Sequence, residues 1–416
     1  MNIVCATGGI VKIEFPNQGL MDIAGSGFEY AMLDMSKYIS GATLRQWEKK
    51  LDKELIKKDI ANLKSGIVAR GVHPKYAMLP FLAGDTKRTD LNGMLTDLCV
   101  DCIRETENLG VTSFIAQPLS IGVSMDCEWD INLEYFFQLA RALTNAESKI
   151  LLINHCNNVE GHYIRGLCSD ASEAANWVDQ LNELAKKQGL GEERFGFCMD
   201  IGAYNLCGIN MQDVANTLRE RVLAAIVRAN DGHQDIAAIP FTCVNENGIA
   251  TDWMGFIRGM REIEFNGDLI MDMTNTLRST PSLIRPSVLA MGKTIAEYFR
   301  SQIQIEEPLK KYKHIVLFGA GDLGRGFIRS FGEKYRPLFT CDNNSARWGT
   351  FIDGIEVKSP ECLLDLPEDT GVFICNMYHR EIEEQLKNMG VLNVESFDCE
   401  FLPAYNQNRV GRQEVN

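Results

Sequence analysis

From Met1 to about Ser301, short runs of aliphatic and β-branched residues alternate with longer stretches whose apolar positions recur at helical spacing. Such alternation marks strand–helix units wound around a parallel sheet. The strand-type runs are Asn2–Cys5, Tyr30–Asp34, Ile67–Val72, Thr112–Gln117, Ile150–Asn154, Gly196–Asp200, Leu223–Arg228 and Leu269–Met273. Eight strands are what closes a barrel, so an α/β fold of the (β/α)8 TIM-barrel type accounts for this stretch with no element left over. The clearest helices are Asn132–Leu143, Ser172–Lys187 and Thr251–Glu264, the last opening on Thr251-Asp252, side chains suited to capping a helix N-terminus.

The pattern restarts after a charged, Pro-containing segment, Gln302 to Lys313. HIVLFGAGDLGRGFIRSF follows, a hydrophobic strand running into a glycine turn and a helix. Further strands are expected at Pro337–Cys341, Val372–Cys375 and Asn393–Phe397, with a helix at Glu381–Met389. This is the outline of a small, Rossmann-like, doubly wound parallel-sheet domain. The predicted organisation is a barrel over 1–301, a linker over 302–313, the small domain over 314–404 and a polar tail over 405–416.

Composition narrows the class. With 45% apolar and 24% charged residues among 416, the chain has globular composition and is not intrinsically disordered. Its 42 Lys+Arg against 56 Asp+Glu, a net charge of −14, argue against a phosphate track for nucleic acid. No apolar run approaches the length of a membrane span, and Met1 to Leu20 lacks a signal-peptide pattern. The 13 cysteines show no regular spacing. The expectation is a soluble, cytoplasmic protein with reduced thiols, and the lone CxxC, Cys99 to Cys102, reads as buried helix cysteines.

Several patterns of the first 300 residues, taken in order, carry a family resemblance. GFEYAMLD at Gly27–Asp34, ILLINH at Ile150–His155, CMDIGAYNLCG at Cys198–Gly208, NDGHQD at Asn230–Asp235 and TDWMGFIRGMREIEFNGDLIMDM at Thr251–Met273 resemble the successive strand ends of the xylose-isomerase-like sugar phosphate isomerase/epimerase family. That resemblance implies a TIM-barrel sugar isomerase or epimerase with one divalent ion (Mn, Mg, Co or Zn) held by Glu, Asp, His and Glu from strands five to eight. Aligned without gaps, the first Glu falls on Ile153 and the His on Ile226, leaving only Asp200 and Asp272 as metal-ligand candidates. The strand-two Glu falls on Met32 and the helper His on Ala203.

Barrel chemistry sits where strands end. The polar residues there give candidate catalytic groups, His155, Asp200 and Asp272, for proton transfer beside a sugar carbonyl. Candidate substrate-binding residues are His73, Gln117, Asn154, Tyr204, Arg228, Asn230 and Asp231, with Arg228 suited to a carboxylate or phosphate.

In the small domain, Gly319, Gly321, Asp322, Leu323, Gly324 and Arg325 form a G-x-G-x-x-G turn between strand and helix, and Asp342 ends the next strand. That context is one of nucleotide-type binding. Cys341 to Leu364 resembles a stretch of the Rossmann-like N-terminal domain of nucleotide-sugar N-acetyltransferases in bacterial surface-glycan biosynthesis, which implies a nucleotide or UDP-sugar as ligand. The sequence thus points to a sugar or nucleotide-sugar isomerase/epimerase of carbohydrate or surface-glycan metabolism, with a small-molecule sugar or nucleotide-sugar as partner, neither nucleic acid nor membrane, and a homo-oligomer as an open option. Two alternatives stay open: a catalytically inactive barrel acting as a nucleotide-sugar-binding scaffold, and an NAD(P)-dependent oxidoreductase.

Overall fold

The computed structural model describes residues 1–12, 15–36, 53–81, 89–119, 125–245 and 248–397. The chain divides into two compact units, one from Met1 to Arg300 and one from Ser301 onward. The expected polar tail, 405–416, lies outside the described residues.

The first unit is a closed barrel of eight parallel strands. In chain order these are β1 (Ile3–Ala6), β2 (Tyr30–Asp34), β3 (His73–Met78), β4 (Ser113–Ala116), β5 (Lys149–Ile153), β6 (Phe195–Asp200), β7 (Val222–Val227) and β8 (Asp268–Met271), each paired with its sequence neighbours and β8 closing onto β1. Helices intervene: α1 (Asn17–Gly25), α2 (Lys53–Arg70), α3 (Thr89–Glu107), α4 (Met125–Ala142), α5 (Ala171–Lys187), the short α6 (Ile201–Leu206), α7 (Met211–Leu218) and α8 (Trp253–Glu262), then α9 (Thr274–Ser279) and α10 (Arg285–Ile303). A hairpin, Cys156–Val159 with His162–Arg165, rises from the end of β5. Among the described residues no helix is long and apolar enough to cross a membrane.

The barrel is filled from all eight strands: Val4, Met32, Tyr76, Ile115, Leu151, Cys198, Ile226 and Ile270 meet in one buried cluster. Alternate strand residues point inward, so one buried aliphatic per strand makes a layered core instead of a pore. Ile153 belongs to this cluster as well. The helices dock by their apolar faces and are capped where the sequence suggests. Asp170 accepts from the amides of Ser172 and Glu173 at the start of α5, and Asp252 accepts from Gly255 at the start of α8. Cys99 and Cys102 are fully buried in α3.

One strand lies elsewhere than the sequence pattern indicates. Ile67–Val72 is not the third strand: Ile67 to Arg70 complete α2, on which Ile60, Leu63 and Ile67 are buried at helical spacing, and Gly71 at φ +66° ends the helix. The third strand is His73–Met78. His73 therefore opens its strand instead of following it, which puts it at the N-terminal end of the barrel.

The second unit is a six-stranded sheet. Its strands are β9 (His314–Phe318), β10 (Thr340–Cys341), β11 (Phe351–Ile352), β12 (Ile355–Lys358), β13 (Thr370–Ile374) and β14 (Val394–Ser396), in the spatial order β11-β12-β10-β9-β13-β14. Only β11 runs antiparallel, joined to β12 through Asp353 and Gly354, both at positive φ as a tight hairpin turn demands. Two helices, α12 (Asp322–Phe331) and α13 (His379–Met389), follow β9 and β13. The chain leaves β9 toward β10 and returns on its other side at β13, so the order reverses beside the end of β9. Residues 302–313 are not an extended linker: α10 runs on to Ile303, α11 (Glu307–Lys310) follows, and Ile305 and Leu309 are buried with Ile315, Phe327 and Phe373 in this unit's core.

Candidate functional site

At the C-terminal mouth of the barrel the strands surround a cavity of about 280 Å³ whose lining includes Asp34, Asp200, Arg228, Asp235, Asp272 and Thr274. Its floor is apolar, with Met32 and Ile226 from the barrel core. Each polar group is set by a strand end. Asp34 ends β2, Asp200 ends β6, Arg228 directly follows β7, and Asp272 directly follows β8.

Asp200 does three things at once. Its Oδ1 accepts from the amide of Ala203, capping α6; its backbone is tied to Asn154, whose Nδ2 donates to Asp200 O at 3.0 Å while Asn154 Oδ1 accepts from Asp200 N at 2.7 Å. Both its carboxylate oxygens accept from Arg228 Nε, at 2.8 and 3.1 Å. Arg228 Nη1 in turn donates to Asp235 Oδ1 at 2.5 Å and to Ile236 O at 3.2 Å. The side chains of Asp200 and Arg228 are only 12% and 11% exposed, so this pair is shielded from water. Burial works against the guanidinium's charge, but the two carboxylates outweigh it and hold Arg228 well above its ordinary value, permanently protonated.

Asp272 is the contrasting carboxyl. Its Oδ1 accepts from the amide of Thr274 at 3.0 Å. Burial, reinforced by the nearby charge of Asp200, raises it above the usual carboxylate value against the opposing pull of the Thr274 hydrogen bonds and of Arg228. A buried carboxyl raised in this way, at the mouth of a cavity, is a candidate acid/base group. Opposite the glycine turn after β1, Thr274 Oγ1 and Asp34 Oδ2 lie 2.3 and 3.1 Å from the point a Cβ on Gly8 would occupy. Gly8 thus leaves the room in which these two groups meet the cavity.

Of the residues expected at the mouth, Asp200, Arg228 and Asp272 come together in the cavity and the others do not line it. Asn154 and Asn230 are buried struts; Asn230 Nδ2 donates to Gly202 O, and its Oδ1 accepts from Asn205 Nδ2 and Gly232 N. Asp231 accepts from the amides of His233 and Gln234, which lower its pKa and stiffen its own loop. Tyr204 is fully buried in α6, its hydroxyl without a hydrogen-bond partner among the described residues. His155 Nδ1 is 2.8 Å from Gln117 Nε2, and burial lowers the imidazole below its ordinary value against the pull of Asp235. His73 is exposed at the far end of the barrel, its ring 6.1 Å from that of Tyr30. Conversely Asp34, Asp235, Thr274 and the rim residue Arg278 belong to the cavity without having been in the sequence-derived set.

The divalent ion implied by the family resemblance does not fit these residues. Ile153 and Ile226 fill two of the four ligand positions and are packed into the core, and Asp200 is already engaged by Arg228. Among the described residues, no three or more His, Cys, Asp or Glu side chains are grouped so as to hold a metal ion.

In the second unit, the glycine turn after β9 has a different logic at each position. A Cβ on Gly319, at φ +131°, would strike Cys375 O at 2.3 Å, and one on Gly324 would strike Gly319 O at 2.1 Å, so both are demanded by packing. A Cβ on Gly321 would meet nothing within 4 Å. Asp342 Oδ2 accepts from Ala320 N at 3.1 Å and lies 3.5 Å from Arg347 Nη1, while Arg347 Nη1 donates to Ala320 O at 2.7 Å. Asp322, Leu323 and Arg325 lie in the first turn of α12, and Arg325 pairs with Asp353 at 3.5 Å.

No family model matches the chain, and no curated protein matches it in sequence. Solved structures do. A D-tagatose 3-epimerase-like protein superposes with a TM-score of 0.52 at 15% identity, over 74% of this chain and 99% of that one. A D-allulose 3-epimerase from Methylomonas sp. gives 0.50 at 13% identity, over 72% of this chain and 98% of that one. The same enzyme in complex with D-allulose gives 0.50 at 12%, over 73% and 97%. At these identities the likeness establishes a shared TIM-barrel fold.

Proposed function

We propose that the barrel is a sugar isomerase or epimerase that moves a proton on the carbon next to a sugar carbonyl. The observation that carries this reading is the convergence of Asp272, the Asp200–Arg228 pair and Asp34 in one cavity at the C-terminal mouth of a barrel shared with sugar epimerases. The site is concave, of monosaccharide size, and lined by hydrogen-bonding groups over an apolar floor. Asp272 is the proton-transfer group: it lines the cavity at the end of β8, and burial holds its carboxyl above the ordinary carboxylate value. Asp200, tied up by Arg228 and by α6, orients the cavity. Asp34 and Thr274 hold sugar hydroxyls. His155 acts on neither substrate nor proton in this account. A free ketose suits the cavity, since one structural neighbour holds D-allulose.

The second unit we read as a Rossmann-like module for a nucleotide or nucleotide-sugar. What supports this is Gly321: packing explains Gly319 and Gly324 but leaves Gly321 facing open space at a helix N-terminus, where a side chain would obstruct an approaching phosphate. On this reading the chain serves carbohydrate or surface-glycan metabolism.

The test is a panel of ketopentoses, ketohexoses, their phosphates and UDP-sugars, with interconversion followed by chromatography and binding by thermal shift. Interconversion of any member supports the barrel reading; inertness toward all of them refutes it. A UDP or UDP-sugar shift that Gly321→Ala weakens supports the module reading, and a shift with NAD(P) alone replaces it by a redox one.

A further inference from the structure

Arg228 has an edge left over. Its Nε and Nη1 are used on Asp200, Asp235 and Ile236 O, whereas Nη2 makes no hydrogen bond among the described residues. The side chain is nearly nine-tenths buried and lines the cavity. Its position is built into the fold from below. A Cβ on Gly202 would stand 2.7 Å from Arg228 Cγ, 2.8 Å from Nε and 3.0 Å from Cζ, so the bare backbone of α6 is the bed on which this side chain lies. A buried guanidinium clamped by two carboxylates and a carbonyl is fixed in direction as well as in charge, unlike a lysine ammonium.

We propose that Arg228 is the barrel's built-in cation: its guanidinium stands on Asp200 and Asp235 in the role of the divalent ion that Ile153 and Ile226 no longer allow, and its unused Nη2 edge takes the carbonyl oxygen of the ligand. A fixed positive donor at that oxygen stabilises the negative charge that develops there when the neighbouring carbon loses its proton. The proton passes to a cavity carboxylate and the electron pair to the oxygen; reprotonation of carbon reverses both, so nothing is consumed. The ligand half of this inference rests on the sugar reading; the cation half does not.

The experiment compares full-length wild type with Arg228→Ala by thermal melting, each with EDTA, with Mn²⁺ and with millimolar methylguanidinium. The expected result is a wild type indifferent to EDTA and Mn²⁺, and a variant that melts lower and recovers saturably with methylguanidinium while the wild type does not, as mass action at a vacated cation site requires. A wild type that loses stability in EDTA or gains it with Mn²⁺ overturns the proposal, and so does a folded variant that methylguanidinium stabilises no more than the wild type. The EDTA and Mn²⁺ arms on the wild type decide the matter alone if the variant does not fold. With a ketose that turns over, Arg228→Ala is expected to be at least about a hundredfold slower, the lower end for loss of one charge-stabilising donor. If the melting pattern holds and no ketose reacts, the sugar reading falls and the cation stands. If turnover needs Mn²⁺, the sugar reading stands and the cation falls.

Discussion

Gly202→Ala isolates the geometry of the cavity with a single added carbon. Gly202 lies inside α6, and its φ is not in the left-handed region, so the backbone accepts alanine and the exchange by itself favours the helix by about 1 kcal/mol. Against that, the new Cβ stands 2.7 to 3.0 Å from three atoms of Arg228. Arginine is flexible on a surface and could yield at little cost, but here it is fastened through Nε by Asp200 and through Nη1 by Asp235 and Ile236 O. Removing one partner of a buried ion pair costs about 3–5 kcal/mol, and a displacement of a few tenths of an ångström forfeits a part of this, about 2–3 kcal/mol. The net expectation is destabilisation by about 1–2 kcal/mol once the helix gain is subtracted. Urea unfolding at neutral pH measures it, with ketose turnover, where present, falling alongside. A variant as stable as wild type or more so, with ligand binding intact, would show that Arg228 is free to move and that the clamp is not rigid.

Asp272→Asn is expected to abolish proton exchange, a loss of about 10²–10⁴-fold for an acid/base group, while raising the melting temperature at pH 7. The sign follows from linkage: a carboxyl raised on folding favours the folded state below its ordinary value of 3.8 and loses that contribution as pH rises through the folded value, whereas asparagine keeps the acceptor for Thr274 without the charge. The stability gain should shrink toward zero as the two proteins are melted at lower pH, and a variant less stable than wild type at pH 7 contradicts the assignment. Asn154→Ala removes both partners of the Asp200 backbone and leaves a buried amide and carbonyl unsatisfied, an expected cost of about 2–4 kcal/mol in urea unfolding; a change under about 0.5 kcal/mol means these bonds are replaced by water. In the second unit, Gly319→Ala and Gly324→Ala should lower the melting temperature, whereas Gly321→Ala should leave it unchanged and weaken nucleotide binding; equal destabilisation by all three would remove the case for a ligand at Gly321.

Much of the barrel was legible because its strands are buried on both faces and read as continuous aliphatic runs: β2 has the bounds expected, and six others lie within two residues of theirs. The third strand misled for a physical reason. Ile67 and Val68 look strand-forming, but Ile60, Leu63 and Ile67 carry a helical period, and the true strand, His73–Met78, holds Pro74 and Lys75 and looks polar. Placing that strand wrongly put His73 at the mouth. Asp200, Arg228 and Asp272 were found because strand ends are where a barrel does its chemistry. Asp34 obeys the same rule at the end of β2 and was equally readable. Asp235 was not: it reaches Arg228 from a loop, and no local spacing announces a contact that depends on how the loop folds back. Nor could sequence show that Asp200 faces a guanidinium, which changes it from a free catalytic carboxylate into half of a clamp, or that His155 turns toward Gln117. The β11–β12 hairpin was within reach of its Asp353-Gly354 turn signal, whereas Ile305 and Leu309 hid inside a charged segment that reads as linker.

Movement of a proton beside a sugar carbonyl through Asp272 can be watched directly as exchange with solvent deuterium. Wild type and Asp272→Asn are incubated with the ketose panel in D2O, and the proton next to the carbonyl is followed by NMR. Deuterium wash-in at that carbon is expected for the wild type with at least one ketose, and none above background for Asp272→Asn. Exchange by the variant at the wild-type rate, or no exchange by the wild type with any member of the panel, contradicts proton transfer through Asp272.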